Sequence, residues 1–362
     1  MGKRVKVGLA LGGGSARGFA HIGIIRVLEA EGIPIACIAG TSIGAIVGSV
    51  YAAGQLHNAE EFLAKLDWKK IPALLDPLLP LSGLLGGKPL EKLFTSLLQK
   101  QNIEDFALPF AAVAADVATG EEVILTRGNA VKAIRASMSL PGIFTPVFFQ
   151  DRFLVDGGIV SPVPVRAARM LGAEIVIAVN LAAEMSSRTY ISTVKDTAQQ
   201  FQAIREAQST EKGLFENLLY AKYLGAGLPE FLKDAIEKGK SFVEEHTQSL
   251  GQWVEEKIEQ GRTMLGENKS LFGEWFAKEE SSADVPDIFS ILFNSMNIMQ
   301  FEIAKSSLRQ YPPEVLLSPD LGKVRLLDFA KADECMREGE RVACAALPQI
   351  RELVKNQPIR TS

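Results

Sequence analysis

The sequence is poor in the residues that most often build metal, disulfide and histidine-based sites. Its 362 residues include only three cysteines and three histidines. The cysteines, Cys37, Cys335 and Cys344, are scattered along the chain, so we expect no disulfide framework and favour a reducing compartment. Neither a CxxC nor an HExxH motif is present, which leaves almost no support for a zinc site.

Positive charge and aromatic residues are also in short supply. Lysine and arginine total 39 against 43 acidic residues, a net charge of −4, and aromatics make up 7% of the chain. This composition excludes a strongly basic nucleic-acid binder and argues against base-stacking surfaces, so no nucleic-acid partner is expected. With 47% hydrophobic residues, the chain is typical of a globular protein with one large domain or two smaller ones.

Formal charge is absent from residues 32–59, a run of 28 residues. That length would permit a membrane-spanning helix, but Pro34 and four glycines interrupt it. A buried strand, a tight turn and a buried helix explain the run better. The first apolar stretch of the chain is too short for a secretory signal peptide. We therefore expect a cytoplasmic protein, with peripheral contact at the inner membrane surface as a further hypothesis.

Short apolar runs alternate with helical patterns over the first half of the chain, which predicts a parallel sheet covered by helices. An irregular apolar loop is predicted at 72–87 and is hypothesised to contact acyl chains or a membrane. Strands are predicted at 5–11, 35–39, 110–116, 122–126, 153–155, 175–180 and 326–327, and helices at 19–31, 42–53, 89–99, 130–137, 166–171, 287–308 and 330–354.

A charged helical insertion is predicted at 205–280. This segment carries a net charge of −5, whereas the rest of the chain carries +1. Apolar residues recur in it at spacings of three and four, which indicates an amphipathic helix of about 35 residues. Three roles remain open: a lid or interfacial helix that docks on lipid, an arm for homo-oligomerisation, or a solvated spacer. Its acidity argues against strong attraction to anionic membranes.

The strongest local motif surrounds Ser42. Residues 40–44 read GTSIG and match G-x-S-x-G between an apolar strand and an apolar helix, the context of a nucleophile elbow. Such a turn projects the serine hydroxyl above a sheet, and the helix N-terminus favours developing negative charge. The alternative is a serine in an ordinary tight turn before a helix.

A serine nucleophile needs a base, and the three histidines fit that role poorly. A classical triad places histidine late in the chain, where His246 lies on the apolar stripe of the insertion. His21 follows the glycine-rich turn and is more typical of a structural residue. Asp156 ends a predicted strand before Gly157 and Gly158, so a carboxylate is the more favoured base. The alternative is an aspartate that caps a turn.

A third element is the glycine-rich turn at 12–18, GGGSARG. The dinucleotide-binding fingerprint fails here, and no Walker lysine follows. Exposed backbone N–H groups that form an oxyanion hole explain the turn better. Arg17 would support the loop or attract a phosphate head group, and the alternative is a plain structural ion pair.

In this order and spacing, the segments GLALGGGSARGFAHIG, GTSIGA and DGG resemble the patatin-like phospholipases. The segment ASMSLPGIFTPV at 136–147 is similar to that family as well. The resemblance covers about 5–180 well and 286–350 more loosely. It implies an α/β fold, a three-layer α/β/α sandwich with a mainly parallel central sheet, in which 1–204 and 281–362 form the catalytic domain and 205–280 is the insertion.

The same resemblance implies a phospholipase A type of lipid acyl hydrolase that works through an acyl-enzyme without metal or cofactor. Ser42 and Asp156 would form a Ser–Asp dyad. Gly13, Gly14 and Ser15 would line the oxyanion hole, with Arg17 beside it. The substrate would be a lipid or phospholipid. Two alternatives remain: a hydrolase of small esters or thioesters, and a non-catalytic regulatory or scaffold protein that acts through the insertion.

Overall fold

The computed structural model describes residues 5–65, 86–182, 288–324 and 328–355. The predicted insertion at 205–280 lies outside these residues, as do nearly all of the apolar loop at 72–87 and the strand predicted at 326–327. No helix within the described ranges combines the length and the apolar character that crossing a bilayer requires.

Helices and strands alternate along most of the described chain. The strands are β1 (Val7–Leu11), β2 (Ile35–Thr41), β3 (Phe110–Asp116), β4 (Glu122–Leu125), β5 (Val147–Phe149), β6 (Arg152–Asp156), β7 (Ile175–Val179) and β8 (Val315–Leu317). The α-helices are α1 (Phe19–Ala30), α2 (Ile43–Ala52), α3 (Leu56–Lys65), α4 (Lys88–Leu98), α5 (Ala130–Ser137), α6 (Val165–Met170), α7 (Ile288–Gln310) and α8 (Ala332–Lys355).

The eight strands of the described ranges form one mixed sheet. β3, β2, β1, β7 and β8 lie side by side and pair in parallel. β4 and β6 pair with β3 in the antiparallel direction, and β5 pairs with β6 in the same way. Every residue of β1, β3 and β7 is buried, as expected of parallel strands that are covered on both faces.

Alternate residues of the central strands enter two separate cores. Leu9 and Ile38 belong to a core that also contains side chains of α1, α2, α5 and α8. Ala10 and Ala39, one residue further along their strands, belong to a second core with side chains of α6 and α7. Helices therefore cover both faces, and the predicted three-layer α/β/α sandwich is confirmed.

Three of these strands and α-helices are missing from the sequence prediction. β5 and β8 have three residues each, and α3 follows α2 after a short turn. Three residues are too few to show the two-residue alternation by which a strand is recognised. The pairing of β5 with β6 and of β8 with β7 places these strands.

Candidate active site

The two strands that lead to the residues of the candidate dyad pair with the same edge of β3. Thr41 at the end of β2 pairs with Val113, and Asp156 at the end of β6 pairs with Ala114. β4 pairs along β3 across both of these positions, and a strand has only two edges. β2 and β6 therefore both pair with the opposite edge of β3. They run in opposite directions along that edge, so their C-terminal ends, Thr41 and Asp156, lie next to each other. This register places Ser42, the residue after Thr41, beside Asp156.

Ser42 occupies a sharp turn between β2 and α2. Its backbone angles are φ 55° and ψ −120°, a conformation that side-chain-bearing residues rarely adopt and that stores strain. The flanking glycines are required by close backbone approach. A Cβ on Gly40 would collide with the carbonyl of Gly44, and a Cβ on Gly44 would collide with the carbonyl of Leu11. This is the strand–turn–helix geometry of a nucleophile elbow.

The Ser42 hydroxyl donates a hydrogen bond to the Asp156 carboxylate, with 2.7 Å between Oγ and Oδ2. The other oxygen of that carboxylate, Oδ1, accepts from the N–H of Gly158 at 2.7 Å. Asp156 is 2% exposed. Burial raises the pKa of Asp156 to about 6, although the hydrogen bonds from Ser42 and Gly158 act in the lowering direction.

The segment that follows Asp156 joins the other parts of the site. The Ser161 carbonyl accepts from the hydroxyl of Thr41 at 2.8 Å. The next carbonyl, that of Pro162, accepts from the N–H of Gly13 at 3.0 Å. One short stretch of backbone therefore connects the carboxylate, the residue before Ser42 and the glycine-rich loop.

The glycine-rich loop faces the nucleophile, and its N–H groups differ in whether they already have an acceptor. A Cβ placed on Gly13 would lie 3.5 Å from the Ser42 Cβ, which shows how closely the loop approaches. The Gly13 N–H already donates to the Pro162 carbonyl. Within the described ranges, the N–H groups of Gly14 and Ser15 have no hydrogen-bond acceptor. These two groups remain as candidate donors.

A further candidate donor is the N–H of Ile43, which sequence reasoning missed. Ile43 opens α2, and the first N–H groups of a helix have no acceptor within the helix. In nucleophile elbows the residue after the nucleophile is a known oxyanion donor, and that general rule was the available signal. The positive end of the α2 dipole lies at the same place.

Arg17 is anchored rather than free. Its side chain is 7% exposed, and its Nε donates to the Val324 carbonyl at 2.8 Å. Burial lowers the pKa of this guanidinium. The contact ties the short helical turn after the glycine loop to the 321–324 segment, which fits the loop-support role proposed for Arg17.

The histidines in the described ranges are not placed as bases for Ser42, whose hydroxyl donates to a carboxylate. His21 is fully buried, and its Nε2 lies 2.8 Å from the Gly12 carbonyl. A carbonyl only accepts, so Nε2 carries the proton. Burial lowers the pKa of His21 to about 4, which leaves the ring neutral near pH 7. His246 lies outside the described residues.

No cluster of histidine, cysteine and carboxylate side chains suited to a metal ion occurs in the part of the chain that the structure describes.

Comparison with known proteins identifies the family to which the chain belongs. A family model described as patatin-like phospholipase matches residues 9–169, the range that contains the glycine-rich loop, Ser42 and Asp156. An uncharacterized NTE family protein of Mycobacterium tuberculosis is 30% identical to this chain over 347 residues. That alignment covers 94% of this chain and 91% of the mycobacterial protein. The chain belongs to the patatin-like phospholipase family, and this relative of similar length carries the NTE family name.

Two mammalian relatives are similar over a smaller region. Patatin-like phospholipase domain-containing protein 7 of Mus musculus is 33% identical over 182 residues, 48% of this chain and 13% of that protein. Patatin-like phospholipase domain-containing protein 6 of Homo sapiens is 32% identical over 197 residues, 53% of this chain and 14% of that protein. Membership of the family supports lipid acyl hydrolase activity in general.

Proposed function

We propose that this protein hydrolyses acyl esters of lipids through a covalent acyl-enzyme, with Ser42 as nucleophile and Asp156 as general base. The observation that carries the proposal is the 2.7 Å hydrogen bond from the Ser42 hydroxyl to a buried carboxylate. A serine on a strained turn with its proton already directed at a base is the arrangement that nucleophilic catalysis needs.

The reaction follows from these contacts. Ionised Asp156 takes the proton of Ser42 as Oγ attacks the ester carbonyl, and the carbonyl oxygen becomes an oxyanion. The N–H groups of Gly14, Ser15 and Ile43 are proposed to stabilise that charge. Asp156 then gives its proton to the departing alcohol, which leaves an acyl group on Ser42. Asp156 then takes a proton from a water molecule as its oxygen attacks the acyl carbonyl. The bond to Ser42 Oγ breaks, Asp156 returns the proton to Oγ, and the fatty acid leaves.

Burial gives Asp156 a basicity that an exposed carboxylate lacks. A carboxylate with a pKa near 4 is a weak base, whereas the pKa of about 6 is closer to neutral pH, where a general base is most effective. The second hydrogen bond, from Gly158, fixes the carboxylate so that Oδ2 remains directed at Ser42. The scarcity of histidine is therefore compatible with serine catalysis.

The pH dependence of hydrolysis tests this role of Asp156. Because the base must be ionised, kcat/KM on a short soluble ester is expected to rise with pH through a single ionisation near pH 6 and to level off above pH 7. Initial rates between pH 4.5 and 9 would measure it. A profile governed by an ionisation above pH 8, or activity that falls as pH rises through 6, would contradict Asp156 as the base.

Covalent labelling tests the nucleophile. A fluorescent alkyl phosphonate is expected to label the wild-type protein, and mass spectrometry of the digest should place the adduct on Ser42. Hydrolysis of phospholipid vesicles beside a short ester distinguishes a lipid hydrolase from a hydrolase of small esters. Labelling at another serine, or none in a folded protein that hydrolyses neither substrate, would overturn the proposal.

A further inference from the structure

We propose that Ser137 is a positioning residue whose hydroxyl holds the strained backbone of Ser42 in its reactive conformation. This inference rests on the proposed role of Ser42 as nucleophile. It deepens that role because it assigns a second serine, 95 positions away in the chain, to the same step.

Ser137 is the last residue of α5 and is fully buried. Its Oγ accepts a hydrogen bond from the Ser42 N–H at 2.9 Å and donates one to the Val113 carbonyl at 2.6 Å. The hydroxyl therefore bridges the backbone of the nucleophile and the backbone of β3.

The Ser137 hydroxyl lies where the backbone hydrogen bonds between β2 and β3 end. The parallel pairing of β2 with β3 ends at Thr41 and Val113, and the chain then turns away into α2. The Ser42 N–H would be left without a backbone partner at a partly buried position, and an N–H that is withdrawn from water and left unpaired is costly. The Ser137 hydroxyl satisfies it and replaces the missing rung of the ladder. A residue with a strained φ persists only when its surroundings hold it in this way.

The segment at the end of α5 also contacts the backbone of Asp156, the proposed base. Two residues after Ser137, the Ser139 carbonyl accepts from the Asp156 N–H at 2.9 Å. The end of α5 thus contacts the backbones of both members of the dyad. A displacement of either backbone would lengthen the 2.7 Å hydrogen bond between their side chains.

Comparison of Ser137→Ala with Ser49→Ala separates positioning from stability. Ser49 is also fully buried, but its hydroxyl donates to the Ile46 carbonyl within its own helix, so its removal deletes a buried hydroxyl without touching the dyad. On a short soluble ester, Ser137→Ala is expected to lower kcat by about 30- to 100-fold with KM within about twofold, since a displacement of about 1 Å costs roughly that much. The rate of phosphonate labelling should fall in proportion. Ser49→Ala removes one hydrogen bond within a single helix, so it should cost less thermal stability and keep kcat within about twofold; kcat of all variants is therefore measured well below their melting temperatures.

A kcat of Ser137→Ala close to that of the wild type would overturn the inference, and so would an equal loss of kcat in Ser49→Ala. If Ser137→Ala does not fold, Ser137→Cys fills the site with a slightly larger side chain and a much weaker hydrogen-bonding group, and it should show the same loss of kcat.

Crystal structures of both variants give a readout that does not depend on activity. The separation of Ser42 Oγ and Asp156 Oδ2 should increase in the Ser137 variant and stay at 2.7 Å in Ser49→Ala. An unchanged Ser42 φ and an unchanged separation in the Ser137 variant would overturn positioning. An inactive, unlabelled wild type would instead overturn the proposed function and leave the crystallographic comparison decisive for Ser137.

Discussion

Replacement of Ser42 by alanine is expected to lower kcat on a soluble ester by a factor on the order of 10⁴ or more, because the acyl-enzyme can no longer form. KM should change little, since the hydroxyl contributes to the reaction rather than to the binding of the acyl chain. Phosphonate labelling should disappear. Ser49→Ala, in the helix that follows Ser42, is the matched control and should keep both activity and labelling.

A Ser42→Gly variant should be equally inactive but more stable than Ser42→Ala. The φ of 55° at this position is strained for alanine and unstrained for glycine, so a difference of about 1 kcal/mol in the free energy of unfolding is expected. Urea titration of the two variants measures it. More than a tenth of wild-type kcat in either variant would exclude Ser42 as nucleophile, and equal stability would show that no strain is stored there.

Local sequence signals were sufficient for the centre of the site. The G-x-S-x-G motif between an apolar strand and an apolar helix predicted the turn at Ser42. Gly40 is required by the nearby carbonyl of Gly44, which is a local contact, whereas Gly44 is required by the carbonyl of Leu11 on β1, a contact that the motif alone does not show. The shortage of histidine pointed to a carboxylate. The structure places the Asp156 carboxylate in hydrogen-bond contact with Ser42 and no histidine of the described ranges in that position.

The supporting contacts could not be predicted, because they join residues far apart in the chain. The Gly13 N–H is occupied by Pro162, and the Ser42 N–H by Ser137. Nothing in the local pattern GGGS distinguishes the engaged N–H of Gly13 from that of Gly14. The end-to-end placement of β2 and β6 is equally non-local, since it depends on the register of both strands along β3.

Replacement of Asp156 by asparagine is expected to lower kcat by a factor of about 10² to 10⁴, because the amide cannot accept the serine proton. The amide oxygen can keep the hydrogen bond from the Gly158 N–H, and the amide NH2 group can then donate to Ser42 Oγ, so the geometry of the turn should survive. The ionisation near pH 6 should also vanish from the residual activity. Phosphonate labelling, which needs an activated Ser42, should slow by a similar factor.

The same substitution should stabilise the fold above pH 6. The pKa of Asp156 is raised from 3.8 to about 6, so the folded state binds its proton more tightly than the unfolded state does. The stability of the wild type therefore falls as the pH rises from about 4 to 6 and stays at the lower level above it. A shift of this size corresponds to about 3 kcal/mol. At pH 8, Asp156→Asn should unfold at a higher urea concentration than the wild type, with a free energy of unfolding that is about 1–3 kcal/mol larger. This difference in free energy should be smaller at pH 5.

Asp116→Asn is the matched control for this gain in stability. Asp116 is also a buried carboxylate, 5% exposed at the end of β3, but it accepts from the Ala118 N–H at 2.8 Å and lies 3.3 Å from the Arg152 guanidinium. Loss of its negative charge removes a favourable pairing and should destabilise the fold by about 1 kcal/mol while kcat stays near that of the wild type. A loss of stability in Asp156→Asn at pH 8, like the loss expected for Asp116→Asn, would show that the fold stabilises the ionised form of Asp156. Burial would then not raise the pKa of this carboxyl. It would then be too weak a base for the proposed mechanism.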